Sequence, residues 1–233
     1  MRNPAKPPTA TGMAVRTAII LFIFVAIFTG LLSAAYLWTR PTIEAAAAEE
    51  KMKLIDEVLP RKYYDNELLK DTLQIAPTAA LGLDEVSTAY RARKDGKPSA
   101  LVLEAIAPDG YAGKIRLLIA FGSEGELLGV RVTQHKETPG LGDYIDPKKD
   151  KNKEHPWITQ FDGLTPMSID ERAWKVKKDG GRFDSMVGAT VTPRAVIKAV
   201  RKAALYVAEN RERFFGSEDR GQRTEDSRLR SEN

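Results

Sequence analysis

The sequence predicts an α+β fold: one N-terminal transmembrane helix, then a single domain in which helices flank a twisted antiparallel sheet. Three patterns predict it. Thr17–Trp38 is an apolar run without a charge. Residues 86–134 alternate apolar and polar positions between turn signals. Residues 193–209 repeat apolar side chains at helical spacing. The chain has 233 residues, enough for one ordinary domain and these additions. Its hydrophobic share of 42% and charged share of 29% are those of a folded protein.

Composition excludes several chemistries. The net charge is +4, and basic residues are spread among acidic ones, so there is no nucleic-acid footprint. The chain has no cysteine, which removes disulfides, iron–sulfur ligation, thiolate zinc sites and a cysteine nucleophile. Its two histidines, His135 and His155, are too few for a histidine-rich metal or haem site. No metal site and no catalytic residue is expected.

Residues 1–16 carry Arg2, Lys6 and Arg16 and no acidic residue, which assigns them to the cytoplasm. Residues 17–38 follow as the membrane span. At about 1.5 Å per residue this run crosses a hydrocarbon core of roughly 30 Å. Tyr36 and Trp38 stand at its far end, where aromatic rings favour the interface. The other reading is a cleaved signal peptide, for which Ala45–Ala48 offers a cleavage pattern. The run exceeds the usual apolar stretch of about 7–15 residues, which favours an uncleaved anchor. Both readings put residues 41–233 on the far side of the membrane.

Residues 39–60 read as a helical stalk ended by Pro60, and 61–212 as the domain. Residues 61–82 should form a short helix and loop. Val86–Arg93 and Ser99–Ala107 flank the turn Asp95-Gly96, giving one hairpin. After Pro108-Asp109-Gly110, Ile115, Leu117, Ile119 and Phe121 mark one face of a strand, and Leu128, Val130 and Val132 continue it beyond Ser123-Glu124-Gly125. Such hairpins predict a sheet with one buried side. Residues 135–170 are rich in Pro and Gly, and a long irregular stretch in a compact domain is commonly functional. Within it Pro156–Phe161 should make a short helix burying Trp157, Ile158 and Phe161, and 172–178 another strand. Pro193–Glu209 is the last core helix, its inner face formed by Val196, Ile197, Val200, Ala203, Ala204 and Val207. Residues 213–233 are polar and expected to be disordered.

The segment Asp184–Pro193 draws most interest. Thr192 before Pro193 reads as a helix N-cap followed by a favourable first residue. A helix N-terminus offers free N–H groups and suits a phosphate. Gly188 and Ala189 remove bulk just upstream, and Thr190 presents a hydroxyl beside that position. On these grounds alone, ordinary capping and anion binding both remain open.

Asp184-Ser185-Met186-Val187-Gly188-Ala189-Thr190 resembles the flavin-transferase target pattern D-x-x-[ST]-G-A-[TS], departing from it at Val187. His135–Gly142 (HKETPGLG), Lys175–Phe183 (KVKKDGGRF) and Ala105–Gly113 (AIAPDGYAG) are similar to further signatures of the same FMN-binding domain family. With the single anchor they run through most of the chain in the expected order. They resemble the G subunits of Rnf (in enteric bacteria, Rsx) ion-translocating electron-transport complexes. The C subunit of the sodium-translocating NADH:quinone reductase is a more distant likeness.

The resemblance implies FMN joined through its phosphate to Thr190, with Gly188 and Ala189 admitting it. It implies that Glu137, Thr138, Leu141 and Gly142 lie near the isoalloxazine ring, although Glu137 reads equally as part of a structural loop. Lys177 is either a partner of the flavin or a solvated charge, and Asp184 either positions the Thr190 hydroxyl or caps a turn. His135, Trp157 and Trp174 read as structural. The implied function is an electron relay in a complex that passes electrons between ferredoxin and NAD and couples them to ion movement. The implied partners are the other subunits and a separate FAD-dependent, magnesium-requiring flavin transferase. The implied location is the bacterial inner membrane, single-pass, with the C-terminal domain periplasmic. Alternatives are a flavin-free structural subunit and a free-standing periplasmic electron-donor flavoprotein. A hydrolase with Thr190 as nucleophile lacks a recognisable base.

Overall fold

The computed structural model describes residues 10–167 and 170–216. The first element, α1, runs over Ala10–Val58 without a break at Pro41. Pro41 removes one backbone donor, yet the sequence around it is Ala-, Leu- and Glu-rich and continues the helix. Arg40 and Glu44 add an ion pair at 2.7 Å one turn apart. The N-terminal part of α1 contains an 18-residue window of mean hydropathy 2.6, none of it buried within the chain, which is long and apolar enough to cross a membrane. The chain divides at residues 50 and 51 into two compact units. The expected division between stalk and domain at residue 60 therefore lies too late. The last turns of α1 belong to the domain because Ile55, Val58 and Leu59 are apolar and buried in it.

The domain is built on five antiparallel strands in sequence order. They are β1 (Thr72–Ile75), β2 (Ser87–Lys94), β3 (Lys97–Ala107), β4 (Ile115–Gly122) and β5 (Leu127–Gln134). The Asp95-Gly96 turn joins β2 to β3, both residues having positive φ as a tight hairpin requires. β4 lies against β3 over its whole length, from Ala107 opposite Ile115 to Ala100 opposite Gly122. β1 is a short edge strand within the region expected to be helix and loop, where only a 3-10 turn at Arg61–Tyr63 is helical.

The sheet is buried on both faces, not on one. Leu101, Leu103, Leu117, Ile119 and Phe121 meet helix α2 (Val191–Glu209) and the short helix α3 (Arg211–Phe215). Tyr90, Ala92, Ala100, Val102, Leu118 and Ala120 meet Ile55, Val58, Leu59, Tyr64 and Leu68 on the other side. Each large apolar side chain taken fully from water contributes about 1.5–3 kcal/mol. Phe214 is buried, so residues 213–216 belong to the fold rather than to a tail. The remaining tail, residues 217–233, and the segment 1–9 lie outside the described residues.

Between β5 and α2 the chain forms 3-10 turns at Asp143–Ile145, Trp157–Phe161, Glu171–Ala173 and Lys177–Asp179. Trp157, Ile158 and Phe161 are buried in the second. The strand expected at 172–178 is absent. Its only ladder-like contact is a bridge from Val176 to Phe183, because Gly180 and Gly181 turn the chain back at once. An aromatic cluster ties these turns together: Trp157 to Phe161 at 5.6 Å, Phe161 to Phe183 at 4.8 Å and Trp174 to Phe183 at 5.6 Å between ring centres.

Gly129 on β5 lets the end of α1 approach the sheet. A Cβ there would stand 2.5 Å from the Val58 carbonyl oxygen and 2.9 Å from its Cα. Backbone atoms cannot yield as a flexible side chain does, so Gly129→Ala is expected to destabilise the domain by about 1–3 kcal/mol. Denaturant unfolding of the full chain in detergent should show a lower midpoint at an unchanged slope. An unchanged midpoint would mean that α1 is free to shift away from β5.

Candidate functional site

A cleft of about 140 Å³ opens where three segments meet. Tyr111 comes from the β3–β4 connection. Glu137, Thr138, Leu141 and Gly142 come from the loop after β5. Gly188, Ala189, Thr190, Val191 and Thr192 come from the entry to α2. Pockets that engulf a small molecule are roughly 300–1,000 Å³. This cleft is large enough to enclose only part of a nucleotide-sized ligand.

Glu137 binds the three segments together. The residue is only 4% exposed. Oε1 accepts the backbone N–H of Ala112 at 3.0 Å, and Oε2 accepts the hydroxyl of Thr192. Its own N–H donates to Nδ1 of His135 at 3.1 Å. A buried carboxylate is tolerated where donors surround it, and the free N–H end of α2 lies alongside. Thr192 is therefore not the helix cap. It is 2% exposed in the first turn of α2, and its hydroxyl serves Glu137 instead. Gly142 fits tightly against both: a Cβ would stand 2.7 Å from Thr192 Oγ1 and 2.8 Å from Glu137 Oε2. The loop between them is closed by the N–H groups of Leu141 and Gly142, both donating to the Thr138 carbonyl at 3.1 Å.

Thr190 occupies the cap position of α2 but makes no side-chain cap hydrogen bond. Its hydroxyl is half-buried at the lip of the cleft. It accepts a hydrogen bond from Arg194, one turn along, whose Nη1 lies 3.4 Å from Oγ1. Arg194 is held in turn by Asp179, with Nε and Nη2 each 2.7 Å from a carboxylate oxygen. That hydrogen bond, with the guanidinium charge, keeps the Asp179 carboxyl below the usual carboxylate range.

The segment before Thr190 is pinned from beneath. Trp157 Nε1 donates to the Asp184 carbonyl at 2.6 Å, and Gln160 Oε1 accepts the Asp184 N–H at 2.8 Å. Tyr144 accepts the Met186 N–H at 3.3 Å and donates to the Ala189 carbonyl at 3.4 Å. Met186 and Ala189 close a tight turn in which Gly188 has φ +85°, a value that L side chains rarely adopt. Val187, at the outer corner, is 95% exposed. Its departure from Ser or Thr leaves the turn intact.

Of the site residues read from the sequence, Glu137, Thr138, Leu141, Gly142, Gly188, Ala189 and Thr190 line one cleft. Lys177 and Asp184 do not line it. They pair with each other at 2.6 Å, both well exposed, and Asp184 secures the turn through its backbone. Sequence reasoning misses four neighbours, one of them Val191, 44% exposed at the cleft. Tyr111 is 70% exposed at the cleft, and a large aromatic in a Pro-Asp-Gly turn is the available signal. Thr192 reads from sequence as a cap, and Arg194 as solvated helix surface. Among the described residues no three His, Asp or Glu side chains cluster as metal ligands.

A flavin nucleotide fits what is here in three respects. A flat ring would meet Tyr111, Leu141 and Val191, all exposed large side chains at the cleft. A phosphate would meet Arg194 and the first turn of α2. Thr190 places a hydroxyl at the lip of the cleft.

Comparison with known proteins agrees. Residues 110–205 match the FMN-binding domain model, and every residue lining the cleft falls within them. Residues 12–58 match the model of the RnfG N-terminal region. The G subunit of the ion-translocating oxidoreductase complex of Shewanella baltica (strain OS223) is 42% identical over 201 residues, 86% of this chain and 92% of that one. Its counterpart in Pseudomonas aeruginosa (strain UCBPP-PA14) is 44% identical over 204 residues, 88% and 93% of the two chains. The solved structure of Shewanella oneidensis NqrC is 24% identical and covers 60% of this chain and 65% of that one, with a TM-score of 0.39, too slight a likeness to bear on the fold.

Burial pushes the Tyr144 phenol up to about 12, the nearby Asp150 charge adding to it against the Met186 hydrogen bond. An unfolded tyrosine ionises near pH 10, whereas the folded one holds its proton to about 12. The stability it contributes is therefore complete below pH 10 and lost as pH rises to about 12. Tyr144→Phe is expected to flatten that loss by on the order of 2 kcal/mol. Chemical unfolding of wild type and variant across this window measures it, and parallel curves would show that Tyr144 is solvated.

Proposed function

The chain belongs to the family of the G subunits of ion-translocating oxidoreductase complexes, and from that premise we propose that it relays electrons through FMN joined by its phosphate to Thr190. The observation that carries this reading is the state of the Thr190 hydroxyl. It stands at the helix position where Thr usually caps, makes no cap bond, and faces a cleft lined by the FMN-binding domain. Bound there, FMN supplies reversible electron transfer, and the protein supplies position and electrostatics. Glu137 and Gly142 hold the cleft walls in register, Tyr111, Leu141 and Val191 cover apolar ring surface, and the Met186–Ala189 turn presents Thr190.

A tether suits so shallow a site. It retains a ligand that the cleft alone grips over only part of its surface, and keeps it at high local concentration for partners in the membrane. The apolar part of α1 anchors the chain in the inner membrane as a single pass. The basic residues Arg2, Lys6 and Arg16 keep the N-terminus cytoplasmic and leave the domain in the periplasm. The partners are the remaining subunits of the complex and the flavin transferase that loads Thr190.

The test is ultraviolet fluorescence of denatured protein in a gel after co-expression with a flavin transferase. Wild type should fluoresce, and Thr190→Ala should lose the signal entirely. If both bands are dark the chain is a flavin-free structural subunit; if both fluoresce, the linkage is at another residue, Thr192 being next in sequence.

A further inference from the structure

Arg194 and Asp179 are not accounted for by holding the cleft together. Asp179 stands at the tip of the turn 176–183, which is closed by Lys177 N–H on the Phe183 carbonyl at 2.7 Å and Gly181 N–H on the Val176 carbonyl at 3.1 Å. Gly180 takes φ +81° there, and the Lys175 backbone occupies the space a Cβ on Gly181 would need. The turn is thus rigid and delivers one carboxylate to one guanidinium. Both Asp179 oxygens are engaged on Nε and Nη2, which leaves Nη1 directed at Thr190 Oγ1. A bidentate carboxylate fixes the plane of the guanidinium as well as its place. The Lys175–Phe183 signature is therefore linked to the Thr190 hydroxyl through one group, the Arg194 guanidinium.

We propose that Arg194, aimed by Asp179, is a positioning residue for phosphoryl transfer onto Thr190. The inference rests on the reading that Thr190 carries FMN. In the transfer, Thr190 Oγ1 attacks the FAD phosphorus on the riboflavin side. The Oγ1–P bond forms and the P–O bond of the pyrophosphate bridge breaks. AMP leaves, and the hydroxyl proton passes to a base of the transferase. No electron is gained or lost. Negative charge gathers on the non-bridging phosphoryl oxygens, two bonds from the atom that Arg194 already contacts, and it stays there in the phosphodiester product. Arg194 stabilises that charge, and Asp179 prevents the side chain from sampling other rotamers in water. Lys177 and Asp184 pair separately and leave the arrangement undisturbed.

The experiment uses the full-length chain in detergent with flavin transferase, FAD and magnesium, following in-gel fluorescence against time and acceptor concentration. Removing one exposed charge-assisted donor should lower the kcat for loading of Arg194→Gln about tenfold. KM for the acceptor chain and the thermal midpoint should stay at wild-type values. Arg194→Lys, which keeps the charge and loses the fork, should recover part of the rate. Asp179→Asn should slow loading less than Arg194→Gln. A wild-type rate for Arg194→Gln, with Thr190→Ala dark, overturns the inference and leaves the attachment reading standing. A rise in KM alone overturns it too, since Arg194 would then be a contact for the transferase. So does a fall in thermal midpoint without rescue by Lys, which marks a folding role. A fluorescent Thr190→Ala band or a dark wild-type band removes the attachment reading itself.

Discussion

The buried carboxylate of Glu137 is the constraint on which the site depends. It joins the β3–β4 connection through Ala112, the loop after β5 through its own backbone, and α2 through Thr192. These segments are far apart in sequence, the last contact spanning 55 residues. Removing the carboxylate would leave the buried Thr192 hydroxyl without its partner, at a cost of about 1–3 kcal/mol. The cleft is the gap that remains between segments tied at that one point. Its walls are accordingly set by a polar knot, and its lip by apolar side chains left at the surface.

The second support is the aromatic cluster under the attachment segment. Trp157 and Tyr144 each hydrogen-bond the backbone there, while their rings pack edge to face at 5.7 Å. Apolar packing and backbone satisfaction are thus achieved by the same side chains. This explains how a stretch rich in Pro and Gly, with little regular secondary structure, can still present a single hydroxyl in a defined place. The sheet contributes indirectly by burying α2 along one face, which fixes where the helix begins.

How much of this is legible in the sequence depends on range. The strands β2 to β5 can be read because alternation and turn residues are local signals. β1 escapes because four residues at a sheet edge, Thr72–Ile75, carry no clear alternation. The second buried face escapes because Tyr90, Ala92, Ala100 and Ala120 read as a mixed, half-polar surface, and their cover comes from residues 52–69. The cleft residues are legible only through likeness to a family, since Gly-Ala-Thr before a helix is physically commonplace. Thr192 deceives because Thr-Pro is a good cap pattern, whereas its true partner lies on another segment. Arg194 has no sequence signal at all, since a basic residue on a helix ordinarily faces water.

The burial of Ile55, Val58 and Leu59 has a practical bearing on where the polypeptide can be divided. Pro60 looks like the natural seam between anchor and domain, yet a soluble fragment begun there would strip the hydrophobic cover from Tyr90, Val102 and Leu118. Such a fragment would expose an apolar sheet face and tend to aggregate. One begun near Lys51, where the compact unit starts, keeps the cover. The same holds for proteolysis in the cell: a cut among Ala45–Ala48 would release the domain with its packing whole, whereas a cut a few turns later would not.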